Sequence, residues 1–437
     1  MTAAARILLY SDTDGVEDLE RTLAERGYRA LPVTAREAAL TAAAEEQPDI
    51  AIVNSDDPAH GEEMAASLRQ AARHRTLPTI IIGGDGLPAS DQADLDYLPH
   101  GCHEIELTSR LETLARLVTM QEELDRRTAT VRAYGVEAPE QAGPPEQVSD
   151  ARVLLLSEEG ADVATLEGAL ARHAAVRHVQ APHEALQRLA QEEHDAAVVV
   201  VGDNAKTALN FCADARSNTR LYNVPVVLLA DPVQFPNPVA PYGAGASDVV
   251  ARGLGEERLV LRTLHQVKLQ RYRRAMQQVY QSARHHATSD ALTGLFSHGF
   301  LHAHLEHLIT DAASAGKALS VGLLSIINLD LINQAHGYIA GDRILRQLGG
   351  MVSSLVRAED LPARLSGHEL CVVLPDTPVL AAAPVLHRIA GVINFTEFSV
   401  PGVETPIAVS IQAGCAGLEP GDTASKLIAR ARDDIAG

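Results

Sequence analysis

Short runs of consecutive apolar residues recur along the first two thirds of the chain, and each is followed by apolar residues at helical spacing. The runs form three pairs of similar sequence: residues 5–12 with 151–158, 48–54 with 194–200, and 78–84 with 225–231. Strands that are apolar throughout are typical of a parallel sheet covered by helices on both faces. The repeated order predicts two α/β units, at residues 1–137 and 151–256.

Two segments with different patterns follow these units. Residues 138–150 are rich in proline, glycine and glutamine, which predicts a linker. Residues 257–287 contain neither proline nor glycine and predict one long signalling helix. We expect its cationic residues to form a solvated face, with packing against a second copy of the helix as the alternative. These residues are Lys268, Arg271, Arg273 and Arg274.

Composition narrows the classes of function. The 437 residues suit three domains, and the net charge of −20 argues against a nucleic-acid partner. The four cysteines are scattered, as in a reducing compartment. His298 and His302 have a spacing that could hold zinc, but no H-E-x-x-H pattern is present, so we expect surface histidines and no metal site. No signal-peptide layout or membrane-spanning apolar run is evident, so we expect a cytoplasmic protein without membrane insertion.

Both α/β units resemble response-regulator receiver domains, which have a flavodoxin-like fold. The resemblance implies an acidic pair for Mg²⁺, a phosphoryl-accepting Asp, a switch hydroxyl and a Lys at the ends of successive strands. In the second unit the last three positions carry Val200, Ala230 and Arg252. Valine cannot accept a phosphoryl group, so this unit is expected to be a pseudo-receiver with a structural or dimerising role.

The first receiver-like unit is also degenerate. Ser11 and Asp12 occupy the acidic pair, Asn54 the acceptor position and Gly83 the switch position. A slip of one or two residues would present Asp56 or Asp57 instead of Asn54. Phosphorylation of this unit therefore stays open as an alternative.

The last third carries two motifs of another family. Residues 290–300 match the pattern D-x-L-T-G-L-x-N-R-x-x-F, and residues 357–370 contain R-x-x-D followed by Ser-Gly-His-Glu-Leu in place of G-G-[DE]-E-F. The segment 288–437 thus resembles a diguanylate cyclase domain. This implies a nucleotidyl-cyclase-like palm fold, with a hairpin that turns at residues 366–368. The whole order, receiver–receiver–cyclase, resembles regulators of the PleD type.

The resemblance implies that catalysis is lost. The two carboxylates that would hold Mg²⁺ on GTP are replaced by Ser325 and His368, and both are poor ligands for this hard cation. Ser366 replaces the first glycine of the motif. The chain also ends before the family's terminal lysine motif. Asn333 and Asp342 match guanine-reading positions and are interpreted as relics, with weak GTP binding or residual cyclase activity as alternatives.

The R-x-x-D site is retained as Arg357 and Asp360. In the family, an intercalated pair of cyclic di-GMP molecules binds there, and Arg388 falls at an auxiliary position. The resemblance implies that the arginines contact phosphate and guanine, and that Asp360 accepts from guanine N–H groups. The alternative is a surface ion pair between Arg357 and Asp360 that caps a helix end.

These features favour a cyclic di-GMP effector without enzymatic activity or cofactor. The chain resembles, more specifically, a degenerate paralogue of the PleD type. That resemblance implies an adaptor in bacterial cell-cycle control that lies at a cell pole and delivers CtrA, together with RcdA, to the ClpXP protease. It also favours a homodimer. A weak cyclase and a phosphorylation-driven response regulator are the alternatives from other classes.

Overall fold

A computed structural model describes residues 5–13, 16–72, 76–84, 95–135, 143, 145, 148–157, 163–218, 220–282 and 288–436. Most of the predicted linker and residues 283–287 of the predicted signalling helix lie outside these ranges. The described residues fall into two compact units. One comprises Ala5–Ala115 with Ala142–Ala275, and the other comprises Arg116–Gln141 with Met276–Gly437.

The first receiver-like half is a five-stranded parallel sheet with the order β2-β1-β3-β4-β5. Its strands are β1 Arg6–Ser11, β2 Arg29–Val33, β3 Ile50–Asn54, β4 Thr79–Ile82 and β5 Leu95–Leu98. Its helices are α1 Val16–Glu25, α2 Arg36–Glu45, α3 Pro58–Ala71 and α4 Glu104–Ala133, the last of which continues into the other unit. The strand order is the flavodoxin-like one, as predicted.

The second half repeats this topology with the order β7-β6-β8-β9-β10. Its strands are β6 Ala151–Leu156, β7 Ala174–Val179, β8 Ala196–Val200, β9 Val226–Ala230 and β10 Asp248–Ala251. Its helices are α5 Val163–Ala171, α6 Pro182–Gln191, α7 Ala205–Ser217, the 3-10 helix Pro232–Gln234, α8 Val239–Gly243 and α9 Glu256–Ser282. The repeat extends to hydrogen bonds, because Asp49 accepts from the Arg6 amide at 2.8 Å and Asp195 accepts from the Arg152 amide at 3.0 Å.

Helix α9 departs from the prediction of a solvated cationic face. Arg271 and Arg274 both bond the carboxylate of Asp195, at 3.0 and 2.9 Å. Lys268 is 1% exposed, and Arg273 donates to the Asn223 carbonyl. The prediction was wrong because sequence spacing cannot reveal that two of these cations pair with Asp195 and that Lys268 is buried.

The C-terminal domain is built on a four-stranded antiparallel sheet with the order β12-β13-β11-β16. Its strands are β11 Leu319–Ile326, β12 Leu361–Arg364, β13 Glu369–Pro375 and β16 Ile411–Gly417, with the small pair β14 Glu397–Phe398 and β15 Ile407–Ala408 beside them. Its helices are α10 His298–Ala315, α11 Leu329–His336, α12 Tyr338–Leu355, α13 Val379–Asn394 and α14 Ala424–Ala436. Two apolar cores form, one including α12 and α13 and the other including α10 and α14. The predicted hairpin is confirmed, since β12 and β13 are joined by residues 365–368.

No helix among the described residues has the length and apolar character needed to cross a bilayer.

Candidate functional site

The degenerate turn lies beside the central strand of the C-terminal sheet. In the antiparallel register of β11 and β13, Ser325 pairs with Glu369, and the Ile326 amide donates to the His368 carbonyl at 2.9 Å. Ser325 and His368, the two predicted substitutions, therefore lie at the same end of the sheet. That end carries a hydroxyl and an imidazole where two carboxylates were expected from the family pattern.

Glu369 is the carboxylate that remains beside the turn, and it is bonded to the last helix. Its two oxygens accept from Arg432 Nε and Nη2 at 2.7 and 2.9 Å, and one also accepts from the Ser366 hydroxyl at 3.1 Å. The Arg432 hydrogen bonds lower the pKa of Glu369, against the effect of burial. Sequence reasoning missed Arg432, because it lies 63 residues away on α14 and matches no motif.

The predicted guanine-reading relics are brought together by the α11–α12 hairpin. A Cβ at Gly341 would lie 2.0 Å from Asn333 Oδ1, so only glycine lets these helices approach so closely. Asp342 follows directly and is exposed. Large apolar residues on the same segment are also more than half exposed: Ile327, Leu331, Tyr338 and Ile339.

The R-x-x-D segment forms a tight turn after α12. The Asp360 amide donates to the Arg357 carbonyl at 3.3 Å, and the Arg357 amide donates back to Asp360 Oδ2 at 2.8 Å. The two residues are thus joined through the backbone of Arg357, whereas the alternative at the sequence level was an ion pair at the surface. Arg357 is exposed, but Asp360 is only 2% exposed.

Burial perturbs the Asp360 carboxyl. Desolvation and the neighbouring charge of Glu359 raise the pKa of Asp360 to about 7, although the Arg357 amide and the Arg127 guanidinium partly oppose the rise. This carboxyl therefore titrates near neutral pH. Its predicted role as an acceptor from guanine stays a prediction, and it requires the side chain to become accessible.

Arg388 lies on α13, and the structure brings it to the R-x-x-D segment. Its Nη2 donates to the Leu355 carbonyl at 3.1 Å, two residues before Arg357. Arg388 is otherwise exposed. Two arginines are consequently available near one turn, which is the arrangement that a phosphate-bearing ligand needs.

Arg127 contacts the R-x-x-D turn, and the sequence did not predict this contact. The residue lies on the part of α4 that belongs to the same unit as the C-terminal domain. Its Nη2 donates to the carbonyls of Glu359 and Asp360 at 2.7 and 2.9 Å, and its Nη1 to that of Ala358 at 3.2 Å. Its guanidinium also lies 4.6 Å from the centre of the Tyr280 ring. One side chain thus holds three consecutive carbonyls of the R-x-x-D turn.

Glu123 fixes Arg127 from the preceding helical turn. Its Oε1 accepts from Arg127 Nε at 2.7 Å and lies 2.8 Å from His304 Nε2. Glu123 and His304 are both fully buried. Burial alone would raise the pKa of Glu123, but His304 and Arg127 outweigh it and lower that pKa to about 2. This buried network anchors α4 to the domain.

The acceptor end of the first receiver-like sheet is occupied by polar contacts. Asn54 Nδ2 donates to Ser11 Oγ at 3.0 Å, and the buried Ser55 hydroxyl donates to Asp12 at 2.8 Å. A Cβ at Gly83 would lie 2.1 Å from the Ser55 carbonyl, so this backbone leaves no room for a switch hydroxyl. These contacts explain why Gly83 suits its position.

The two alternative acceptors follow strand β3. Asp56 is 80% exposed at its side chain and lies 2.8 Å from His100 Nε2. Asp57 caps α3 by accepting from the Ala59 amide at 3.0 Å. Both residues are exposed, and phosphorylation of either stays a prediction.

The corresponding end of the second sheet is apolar. Val200 and Ala230 are buried. Arg252 donates to the Val201 carbonyl at 2.8 Å and lies 3.5 Å from Asp231. Among the described residues, no group of three or more His, Cys, Asp or Glu side chains could hold a metal ion.

Comparison with known proteins gives consistent similarities. Residues 287–436 match the family of the diguanylate cyclase GGDEF domain. Over 441 residues the chain is 26% identical to the response regulator PleD of Caulobacter vibrioides, covering 99% of this chain and 96% of PleD. Over 148 residues it is 30% identical to the diguanylate cyclase DgcP of Pseudomonas aeruginosa, covering 34% of this chain and 22% of DgcP.

Among solved structures, the GGDEF domain of DgcB from Caulobacter crescentus in complex with c-di-GMP aligns with a TM-score of 0.34 and 21% identity. The alignment covers 35% of this chain and 90% of that one. The matches to PleD and to the GGDEF family show that the chain is similar to a PleD-like response regulator over its length and carries a GGDEF domain at its C-terminal end.

Proposed function

We propose that this protein is a non-catalytic effector that binds cyclic di-GMP at its R-x-x-D turn. The observation that carries the proposal is a contrast within one domain. Ser325 and His368 stand at the two metal positions, whereas Arg357 and Arg388 are exposed beside the retained turn. Two guanidinium groups offer bidentate contacts to phosphate and a flat surface for a base. They also offset the net charge of −20 locally.

Titration calorimetry with cyclic di-GMP tests the binding. We expect the full chain to bind with a dissociation constant of about 1 μM or lower. Arg357→Ala should abolish binding, and Arg388→Ala should weaken it. Arg346→Ala serves as the control, because Arg346 is an exposed arginine on α12. Absence of binding to the wild-type chain would refute the proposed function.

Loss of cyclase activity is the second part of the proposal. A hydroxyl and an imidazole are weak Mg²⁺ ligands, and Glu369 is already bonded to Arg432. Incubation with GTP and Mg²⁺ should therefore give no cyclic di-GMP. Because the similar proteins named above include cyclases, turnover by this chain would favour a residual cyclase.

A role as an adaptor follows from resemblance to PopA, the degenerate counterpart of PleD. By that resemblance the protein would deliver CtrA, with RcdA, to ClpXP, and would act as a homodimer at a cell pole. The exposed apolar residues of α11 and α12 support a protein-binding role. A reconstituted degradation assay tests the proposal. We expect CtrA to be degraded faster with this protein and cyclic di-GMP than with Arg357→Ala.

A phosphorylation-driven regulator is the remaining candidate, supported by the exposed Asp56. Acetyl phosphate should label Asp56 or Asp57 if this candidate is correct, and replacing the labelled residue by Asn should remove the label. The second receiver-like half should stay unlabelled, because Val200 occupies its acceptor position.

A further inference from the structure

The R-x-x-D turn is closed in the structure. The proposed function requires the Asp360 carboxyl to accept hydrogen bonds from guanine, but this side chain is 2% exposed. Its Oδ2 is already paired with the Arg357 amide at 2.8 Å. A dinucleotide can therefore reach Arg357 directly, whereas it can reach Asp360 only after a rearrangement.

Residues 116–133 of α4, here called the latch segment, hold the turn in this state. Arg127 donates to three consecutive carbonyls of the turn, at 2.7, 2.9 and 3.2 Å. Hydrogen bonds from a charged donor are stronger than neutral ones, and several from one rigid guanidinium restrict the turn to one geometry. Arg127 is itself held in place by Glu123 and by the Tyr280 ring.

Other contacts of the latch segment are made by residues that precede Arg127. Arg116 Nε is 3.2 Å from Glu359 Oε1 in the same turn, and Thr119 donates to Asp376 at 2.7 Å. Farther along, Arg126 Nε bonds Asp311 at 2.8 Å. The segment is thus bonded to the C-terminal domain along its length, and the R-x-x-D turn is one part of that surface.

We propose that the latch segment is autoinhibitory, and that its docking on the R-x-x-D turn and full engagement of cyclic di-GMP exclude each other. The identity of the ligand rests on the proposed function. Ligand binding would then release residues 116–133, since a ligand shifts an equilibrium towards the state that it binds better. The structural change would begin at the binding turn and appear in α4.

A positioning role for Arg127 is the opposing explanation, in which the guanidinium prepares the turn for the ligand. The two explanations predict opposite signs. Removal of a latch raises affinity, whereas removal of a positioning residue lowers it. Burial of Asp360 favours the latch, because a turn prepared for ligand would present its acceptor to solvent.

The latch can be tested without ligand. In the full chain, Arg127→Met should speed hydrogen–deuterium exchange over residues 116–133 and 356–360. Arg127→Lys keeps the charge but has fewer donors, and it should give a smaller increase. Arg132→Met is the matched control, because Arg132 is an exposed arginine on the same helix. Exchange equal to that of the control would overturn the latch, whether or not cyclic di-GMP binds.

Calorimetry with cyclic di-GMP provides the second arm. Arg127→Met should bind about tenfold more tightly than wild type, within the usual range of allosteric coupling. Adding ligand to wild type should also speed exchange over residues 116–133. Equal or weaker binding by Arg127→Met overturns the latch. If neither protein binds, the proposed function fails, and with it the exclusion of ligand by the latch segment. The exchange measured without ligand still decides whether Arg127 holds the turn.

Discussion

Glu369 keeps its charge through a partner that lies far away in sequence. Its side chain is 11% exposed and that of Arg432 is 49% exposed, so water screens this ion pair only in part. The bidentate geometry lowers the pKa of Glu369 below the ordinary 4.5. A carboxyl whose pKa is lowered on folding stabilises the protein at neutral pH and loses that contribution as the pH falls.

Arg432→Met should therefore lower the free energy of unfolding by about 1 kcal/mol at pH 7, a value reduced for the partial exposure of the arginine. The deficit should shrink as the pH falls below the ordinary pKa of 4.5 and Glu369 becomes protonated, first in the variant and then in the wild type. Urea unfolding at several pH values measures this loss of stability, with Arg346→Met as the control. A deficit that does not change with pH would mean that packing, and not charge, is responsible.

Asp360 has the opposite dependence on pH. Its pKa is raised to about 7, so the closed turn is stable with a protonated carboxyl and weakens as the pH rises through that value. The charged groups that face it are Glu359 and Arg357 in the turn and Arg127 from α4. The turn should therefore open more readily at alkaline than at acidic pH.

Hydrogen exchange over residues 356–360 tests this expectation. After correction for intrinsic exchange, wild type should exchange faster at pH about 8 than at pH about 6, on either side of the raised pKa. Asp360→Asn keeps an acceptor for the Arg357 amide but cannot ionise, so its exchange should depend less on pH. Identical profiles for the two proteins would show that another group controls the turn.

Sequence motifs identified Arg357, Asp360 and Arg388 as candidates for one binding site, and the structure brings the three into one region. The sequence could not predict that Asp360 is buried. Arg127, which holds the turn, is separated from Asp360 by 233 residues and belongs to no recognised motif. Local patterns report local structure, whereas burial depends on which distant element covers a residue.

Elements were predicted well where their apolar pattern is regular. The runs at residues 50–53 and 196–200 lie in β3 and β8, and the paired topology of the two sheets follows from the repeat. The role of charges on α9 was not predicted, because helical spacing does not distinguish a solvated cation from one paired with Asp195. The repeat itself contained a further signal that sequence reasoning missed.

That signal is the same 14-residue spacing from Asp96 to Arg110 and from Asp248 to Arg262. Both arginines bond both carboxylates. Arg110 lies 2.7 and 2.9 Å from Asp96 and Asp248, and Arg262 lies 3.0 and 2.6 Å from them. All four side chains are at least nine-tenths buried. Equivalent positions of the two receiver-like halves therefore join these halves reciprocally.

A double-mutant cycle on Arg110→Met and Asp248→Leu measures the interaction energy between these two residues. Each single change leaves three buried charges with a net charge of one, and should lower the free energy of unfolding by about 3 kcal/mol. The double change should cost about 1–3 kcal/mol less than the sum of the two, as expected for residues in one charge network. Additive losses in urea unfolding would show that Arg110 and Asp248 do not interact energetically.

At the scale of the whole molecule, the sequence pattern predicted one domain for each sheet, that is, two receiver-like domains and a GGDEF domain. In the structure the chain forms two compact units. Helices α4 and α9 each contribute residues to both units. Sequence alone could not show this, because a long helix has the same pattern whichever surface it contacts. Five apolar clusters among the described residues nevertheless each lie within one unit.

The division into two compact units predicts two calorimetric unfolding transitions with different responses to ligand. Cyclic di-GMP at 100 times its dissociation constant should stabilise the transition of the C-terminal unit by about 2.7 kcal/mol, the free energy expected for ligand that binds only the folded state. The other transition should shift much less, and Arg357→Ala should remove both shifts. Equal shifts of the two transitions would show that α4 and α9 make the chain unfold as one cooperative body. In that case, release of the latch segment by the ligand would have to change the stability of both units. Hydrogen exchange in residues 116–133 should then require unfolding of the whole chain.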